Sequence, residues 1–318
     1  LFRRVAFVAL LRQNASGTRF FFPAEFLNAS VKKLRTPEAA RAFSCRAKSP
    51  VVLVPTMGAL HAGHASLLER ARDLAGKKGT VLASIYVNPL QFGPNEDFSR
   101  YPRTLESDLR LCRRCGVDAV FLPEPSSMNP PDRSVFVHEC SLSRTLCGAS
   151  RPGHFDGVCT VVAQLFLILQ PDIAVFGEKD WQQLAVIRRM VRDLSFPVVI
   201  ESCPTVREPD GLAISSRNQY LTPAERAVAP EIFRTLDAVR QAIARGVTST
   251  ATLRKKGLAQ LAKIPGARVD YFEIVDSETL VPLKKVDRPA TVATAVFLGK
   301  ARLIDNLQIL PPPLKSSR

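Results

Sequence analysis

From Val51 to Glu201 two kinds of apolar run alternate along the chain. Val51–Val54, Val81–Val87, Val117–Leu122, Ile173–Phe176 and Val198–Glu201 are short and rich in β-branched residues, which predicts buried strands. Between them Ala65–Leu74, Thr104–Cys115, Val158–Leu169 and Trp181–Leu194 place apolar residues three and four apart, which predicts helices. Val158–Leu169 is almost wholly apolar and should be buried on every side. Strands alternating with crossover helices predict an α/β fold with a Rossmann-like, doubly wound parallel sheet. Ligands of such sheets bind beyond the carboxyl ends of the strands. The glycine- and proline-rich loops at 55–64, 88–102, 148–157, 177–180 and 205–217 fall at those ends.

After about residue 205 the pattern changes. Pro223–Arg245 and Thr250–Leu261 predict long amphipathic helices, closed by Gly246 and by Pro265-Gly266. Val269–Val275, Thr291–Leu298 and Arg302–Ile309 are strand-like and closely connected, as in a short antiparallel sheet. The expected organisation is a Rossmann-like domain at 31–205 and a smaller C-terminal α+β domain at 206–318.

The net charge of +15 changes this picture only at one end. Residues 1–48 carry ten Lys/Arg against two acids, more than half of the excess. Within them, residues 1–30 are arginine-bearing, almost free of acids and rich in Phe, Leu and Ala. They read either as an organellar transit peptide or as a mis-annotated extension, and in both cases as lying outside the fold. The concentration of charge there, with no RNA-binding signature elsewhere, argues against nucleic acid as a partner. No apolar run is long enough for a membrane helix. The seven cysteines are scattered, and Cys112 and Cys115 form a C-x-x-C with no second pair to complete a zinc site. They imply a reducing compartment and a cytoplasmic protein, or an organellar one if residues 1–30 are a targeting segment.

Candidate chemistry gathers in four loops. Pro55–His64 (PTMGALHAGH) joins a strand to a helix and holds two of the chain's four histidines. Met57, Gly58, His61, Gly63 and His64 are its candidates. A helix beginning near His61 would direct both imidazoles and its free N–H groups at an anion. Asn88-Pro89-Leu90-Gln91 offers Asn88 and Gln91, whose amides both donate and accept. Gly177-Glu178-Lys179-Asp180 supplies a cation and a carboxylate, with Gln183 on the face of Asp180. Ile214-Ser215-Ser216-Arg217, preceded by Val206, supplies two hydroxyls and a guanidinium suited to phosphates.

Pro55–His64 is similar to the H-x-G-H signature of nucleotidyltransferases and class I aminoacyl-tRNA synthetases. Val87–Thr104, Arg151–Val162, Phe176–Leu194 and Pro204–Leu221 narrow the match. With them, roughly residues 31–310 resemble the pantothenate synthetase (pantoate–β-alanine ligase) family. The resemblance implies ATP-dependent joining of (R)-pantoate to β-alanine through a pantoyl adenylate, with release of AMP and diphosphate. It also implies Mg²⁺ and a homodimer. By matched position, Met57–His64 form part of the ATP site, with His64 the family's proton donor and His61 beside it. Gln91 and Gln183, with Met57 and Asn88, hold pantoate. Gly177, Glu178, Lys179 and Asp180 hold ribose and α-phosphate, Val206 the adenine edge, and Ile214, Ser215, Ser216 and Arg217 the outer phosphates. Catalysis is then expected from His61, His64, Lys179 and Arg217, beneath a C-terminal domain that closes over ATP. The metal ligands stay unassigned. Ala62, Trp181 and Ile214 depart from the family's usual Glu, Tyr and Met or Leu without removing a group the chemistry needs. The competing readings are a nucleotidyltransferase that releases its adenylylated product and an RNA-binding protein.

Overall fold

The computed structural model describes residues 31–94 and 96–310. The proposed transit segment at 1–30 lies outside the described residues.

Six parallel strands form the main sheet: β1 (Lys32–Leu34), β2 (Val51–Thr56), β3 (Thr80–Ile85), β4 (Ala119–Phe121), β5 (Ile173–Gly177) and β6 (Val199–Cys203). Their order is β1-β4-β3-β2-β5-β6. The winding therefore reverses at β2, between β3 on one side and β5 on the other. A doubly wound sheet binds its ligand at such a reversal, beyond the carboxyl ends. The His61/His64 loop leaves the end of β2 and the Lys179 loop leaves the end of β5.

Alternation along β2 explains how both sheet faces are covered. Val51 and Leu53 join the core formed with α1 (Pro37–Arg46), α6 (His154–Leu169) and α7 (Trp181–Asp193). Val52 and Val54 join the opposite core, with α2 (Ala62–Ala75) and α3 (Leu105–Arg114). Helix α6 is buried along most of its length, as its composition predicts. Cys112 and Cys115 lie in the core, where burial pushes their thiols up to about 12 and 11. Two short helices, α4 (Pro125–Met128) and α5 (Leu146–Ser150), complete this part of the chain.

The sequence pattern missed β1 and α1. It also predicted one helix over Pro223–Arg245 where the chain forms two, α8 (Pro223–Val228) and α9 (Glu231–Ala244). Pro230 stands between them; it has no N–H for the helical ladder and its ring crowds the carbonyl four residues back. Helices α9 and α10 (Thr250–Leu261) pack on an antiparallel sheet of β7 (Ala267–Asp276), β8 (Ala290–Leu298) and β9 (Ala301–Ile309). The two-residue turn Gly299-Lys300 joins β8 to β9, with Gly299 at φ +53° as a tight hairpin requires.

Several contacts tie this sheet to the loops of the larger one. Asn306 Nδ2 donates to the carbonyls of Glu178 and Lys179 at 3.0 and 2.9 Å. The Trp181 indole donates to Ser277 O at 3.1 Å. Arg207 grips the buried Asp305 with two hydrogen bonds of 2.7 and 2.9 Å. Among the described residues no helix is long and apolar enough to cross a membrane.

Candidate active site

At the end of β2, Gly58 (φ +84°) and Ala59 (φ +50°) turn the chain back toward α2. A Cβ on Gly58 would come within 3.0 Å of Ile85 and 3.1 Å of Asp108. Asp108, buried on α3, accepts the backbone N–H groups of Ala59 and Leu60 at 3.0 and 2.9 Å and the Thr104 hydroxyl at 3.0 Å. This carboxylate fixes the loop's shape from about fifty positions away.

His61 is the N-cap of α2. Its Nδ1 accepts Gly63 N–H at 3.2 Å, while His64 Nδ1 accepts His61 N–H at 3.3 Å. The two rings sit 4.1 Å apart. Gly63 is needed for this pairing, because a Cβ there would meet the His61 ring at 3.0 Å. The close neighbour that this glycine admits is thus the chain's own imidazole.

Burial, and then the charge of Lys179, lower the His61 pKa to about 4. Burial, and then the neighbouring His61, lower that of His64 to about 3. Both rings are therefore neutral at pH 7. With Nδ1 accepting in each, the ring proton resides on Nε2. The pair offers N–H donors at a helix N-terminus, which suits charge that develops on phosphate.

The loop after β3 is braced as firmly. Asn88 Nδ2 donates to Gln91 Oε1 at 3.1 Å and to Gly157 O at 3.0 Å. Gly157 has no room for a side chain, since a Cβ would lie 2.4 Å from the Leu90 carbonyl. Gln91 Nε2 donates to Met57 Sδ at 3.2 Å, and the Gln91 carbonyl accepts from Arg151 Nη2 at 3.1 Å and from His154 Nδ1 at 2.8 Å. Arg151 also donates to His154 Nε2 at 3.0 Å and twice to Glu96, both at 2.6 Å. Burial and then the Arg151 charge lower the His154 pKa to about 4, so this ring is neutral as well.

These loops enclose a cavity of about 530 Å³. Met57, His61, Gly63, His64, Asn88, Gln91, Gly177, Lys179, Asp180, Gln183, Val206, Ile214, Ser215, Ser216 and Arg217 all line it. Two candidates stand apart. Gly58 shapes the turn from behind, and the Glu178 carboxylate faces β6, where it accepts the Ser202 hydroxyl at 3.0 Å. Val158, Val161, Val162, Leu165 and Phe176 make part of the wall apolar. Asp97, Glu96, Arg151 and His154 also line the cavity and were not singled out from the sequence. Arg217 donates to Asp97 from Nε at 3.1 Å and from Nη2 at 2.9 Å. Burial opposes the charge of Arg217, but Asp97 outweighs it and leaves the pKa raised.

The neutral histidines have a consequence for stability. Their folded pKa values lie below the ordinary 6.5, so the unfolded chain takes up protons first as the pH falls. Stability is complete above about pH 6.5 and declines toward pH 4. His64 and His154 should each account for a loss on the order of 1–2 kcal/mol by about pH 5. Urea midpoints compared at pH 7.5 and pH 5 would measure this. Equal midpoints would show that the rings protonate as easily in the folded chain as in the unfolded one.

A parallel sheet wound in both directions, with a histidine pair at a helix N-terminus over its reversal point, defines an α/β nucleotide-binding protein of the nucleotidyltransferase type. The sequence model of the family described as Pantoate-beta-alanine ligase matches residues 29–308, and the chain belongs to that family. It is 53% identical over 259 residues to a pantothenate synthetase of Akkermansia muciniphila, covering 81% of this chain and 92% of that one. With the pantothenate synthetase of Thermotoga petrophila it shares 48% identity, across 87% and 99% of the two chains. The crystal structure of pantothenate synthetase from Thermus thermophilus superposes with a TM-score of 0.83 at 48% identity, covering 88% of this chain and all of that one. A pantoate–β-alanine ligase from Francisella tularensis, crystallised with β-γ ATP and β-alanine, superposes with a TM-score of 0.71 at 32% identity, across 87% and 97% of the two chains.

Proposed function

We propose that this chain joins (R)-pantoate to β-alanine at the expense of ATP, by way of a pantoyl adenylate. The observation that carries the reading is a single cavity whose lining residues fall into two chemically distinct sets. One presents the His61/His64 donors with Lys179, and the other presents Gln91 and Gln183 beside a valine- and phenylalanine-lined surface. The first suits a nucleotide phosphate. The second suits a small hydroxy acid with a branched aliphatic body, whose hydroxyl and carboxylate need amides that both donate and accept.

A carboxylate meeting an amine in water only exchanges a proton. Here the pantoate carboxylate oxygen attacks the α-phosphorus, the bond to the β-phosphate bridging oxygen breaks, and diphosphate leaves. Negative charge on the α-phosphoryl oxygens meets the Nε2–H groups of His61 and His64 and the ammonium of Lys179. The β-alanine amine then attacks the acyl carbon, and AMP departs with the electron pair of the broken C–O bond. The protein's work in both steps is alignment and electrostatic stabilisation, which requires no nucleophilic side chain.

In this reading Gly177, Lys179 and Asp180 hold ribose and α-phosphate. Val206 takes the adenine edge, and its carbonyl accepts the N–H of Ile214, where the outer-phosphate stretch begins, at 3.0 Å. Ser215, Ser216 and Arg217 take the outer phosphates, and the described part of the C-terminal domain, residues 206–310, closes over them. Among the described residues no group of three or more His, Cys, Asp or Glu forms a metal cage. Mg²⁺ would enter with the nucleotide, since this ion binds largely through phosphate oxygens and water. Its chemistry there would be to neutralise the charge of the leaving diphosphate. The partner is a second copy of the chain, for which Val135 and Phe136, 76% and 53% exposed, offer an apolar surface.

ATP–pyrophosphate exchange tests the reading. Exchange should require pantoate and proceed without β-alanine, while pantothenate should form only with both. Exchange without pantoate would overturn it, and a released adenylate unaffected by β-alanine would favour a plain nucleotidyltransferase. Gln91→Ala should raise the pantoate KM about tenfold, the loss of one well-made hydrogen bond, and leave the ATP KM nearly unchanged. Equal effects on both substrates would place Gln91 elsewhere in the reaction.

A further inference from the structure

Arg217 is the residue expected to clamp the outer phosphates, yet it does not stand free in the cavity. Asp97 lies 120 positions earlier, in the loop that follows Gln91, and receives both the Nε–H and an Nη2–H of the guanidinium, at 3.1 and 2.9 Å. The two side chains are only 28% and 14% exposed, and both line the cavity. A further contact joins the same pair of loops. The Tyr220 hydroxyl donates to Arg100 O at 3.1 Å.

A guanidinium is a planar fork of five N–H donors with two edges that can each engage an oxyanion in a bidentate pair. The Nε/Nη2 edge is taken by Asp97. Among the described residues Nη1 makes no hydrogen bond, so one of its protons and the second proton of Nη2 are left on the other edge. We propose that Asp97 is a positioning residue: it holds the inner edge of the Arg217 guanidinium so that the Nη1/Nη2 edge is presented to the outer phosphates of the nucleotide. This rests on the adenylation reading above.

The arrangement has opposing effects. The Asp97 carboxylate cancels part of the attraction between Arg217 and a polyphosphate. Against this, an arginine on a loop has a large rotamer entropy to lose when it binds, and a bidentate partner removes that loss in advance. Orientation outweighs charge here because the phosphate being gripped must also depart along one line as diphosphate. Asp97 should therefore discriminate nucleotides by the presence of outer phosphates.

The test is equilibrium binding of MgATP and of AMP to the full chain, read by calorimetry. Asp97→Asn keeps the shape of the side chain but turns one acceptor into a donor that opposes the guanidinium. It should weaken MgATP binding about tenfold, the worth of one charge-assisted hydrogen bond, and leave AMP binding unchanged. Asp97→Glu should recover part of the loss. In the Arg217→Ala background Asp97→Asn should cause no further loss of MgATP binding, and should recover part of it by removing the unpaired carboxylate, since the residue positions the nucleotide only through the arginine. Tyr220→Phe cuts another contact between the same loops and should leave the ATP-to-AMP ratio as it was.

Tighter MgATP binding in Asp97→Asn would overturn the proposal, because the ion pair would then be a competitor of the nucleotide. So would equal losses for ATP and AMP, or an equal loss in Tyr220→Phe, either of which would make Asp97 a general fastening of the loops. The functional reading fails separately, if wild-type protein discriminates ATP from AMP through Asp97 but catalyses no pantoate-dependent exchange.

Discussion

His64→Ala is expected to slow pantoate-dependent ATP–pyrophosphate exchange by about 10²–10³, the usual worth of one preorganised donor to a developing oxyanion. The ring is half-buried and neutral, with its Nδ1 occupied by the His61 N–H. What it can give to phosphate is therefore the Nε2–H, whose contribution grows as charge develops. Two consequences distinguish this from donation by an imidazolium. The exchange rate should show no titration attributable to His64 between about pH 6 and pH 9, because the ring holds one charge state there. His64→Gln, which keeps an N–H donor near the Nε2 position, should recover part of the loss. Removing the ring also removes half of the capping box at the start of α2, at a cost of about 1 kcal/mol in stability. The rate should be read where both proteins are folded, with melting temperature as the control. Near wild-type exchange in His64→Ala would show that the helix N-terminus and Lys179 suffice without it.

The parts of the molecule that were legible in the sequence are those fixed by local pattern. Val51–Val54 and Ile173–Phe176 read as buried strands because sheet residues covered on both faces leave no polar alternation. Proline and glycine marked the loops that surround the cavity. Strand β1 was not legible: Lys32-Lys33-Leu34 has a single buried residue, at a sheet edge, and sits in a run of basic residues. Pro230 was passed over because apolar spacing continues on both sides of it, although the ring alone forbids a continuous helix.

Within the site, the residues that touch the substrates in our reading were legible, and those that hold them in place were not. Asp108 braces the turn before His61 from α3, Arg151 and His154 brace Gln91 from the far side of the cavity, and Asp97 grips Arg217. Each pair is separated by tens to more than a hundred positions. No periodicity or local spacing encodes such a contact, since it exists only after the sheet has brought the loop ends together. The Arg151-Pro152-Gly153-His154 stretch did carry a signal, as part of the family resemblance, but nothing local assigned it a task.

Lys179→Ala and Arg217→Ala should separate the two half-reactions. Lys179, on the turn after β5, lies 3.7 Å from Asp180 and is only 20% exposed, on the cavity wall with His61 and His64. The charge it faces in our reading belongs to the α-phosphate, which is present in both steps: as the centre of attack in adenylation and as part of the departing AMP in amide formation. Arg217 faces the outer phosphates, which leave before the amine attacks. Both substitutions should therefore slow adenylate formation, each by about ten- to a hundred-and-fifty-fold for a lost charge-assisted hydrogen bond of roughly 1.5–3 kcal/mol. When pantoyl adenylate is supplied ready-made, Lys179→Ala should still slow its reaction with β-alanine, and Arg217→Ala should scarcely change it. Arg217→Ala also leaves the Asp97 carboxylate unpaired beside the phosphates. Its effect on adenylation should accordingly fall at the upper end of the range and shrink when Asp97 is changed to Asn in the same protein. Single-turnover measurements of both steps would decide the matter. Equal slowing of the second step by both variants would show that Arg217 acts on the acyl adenylate itself, and its assignment to the outer phosphates would be wrong.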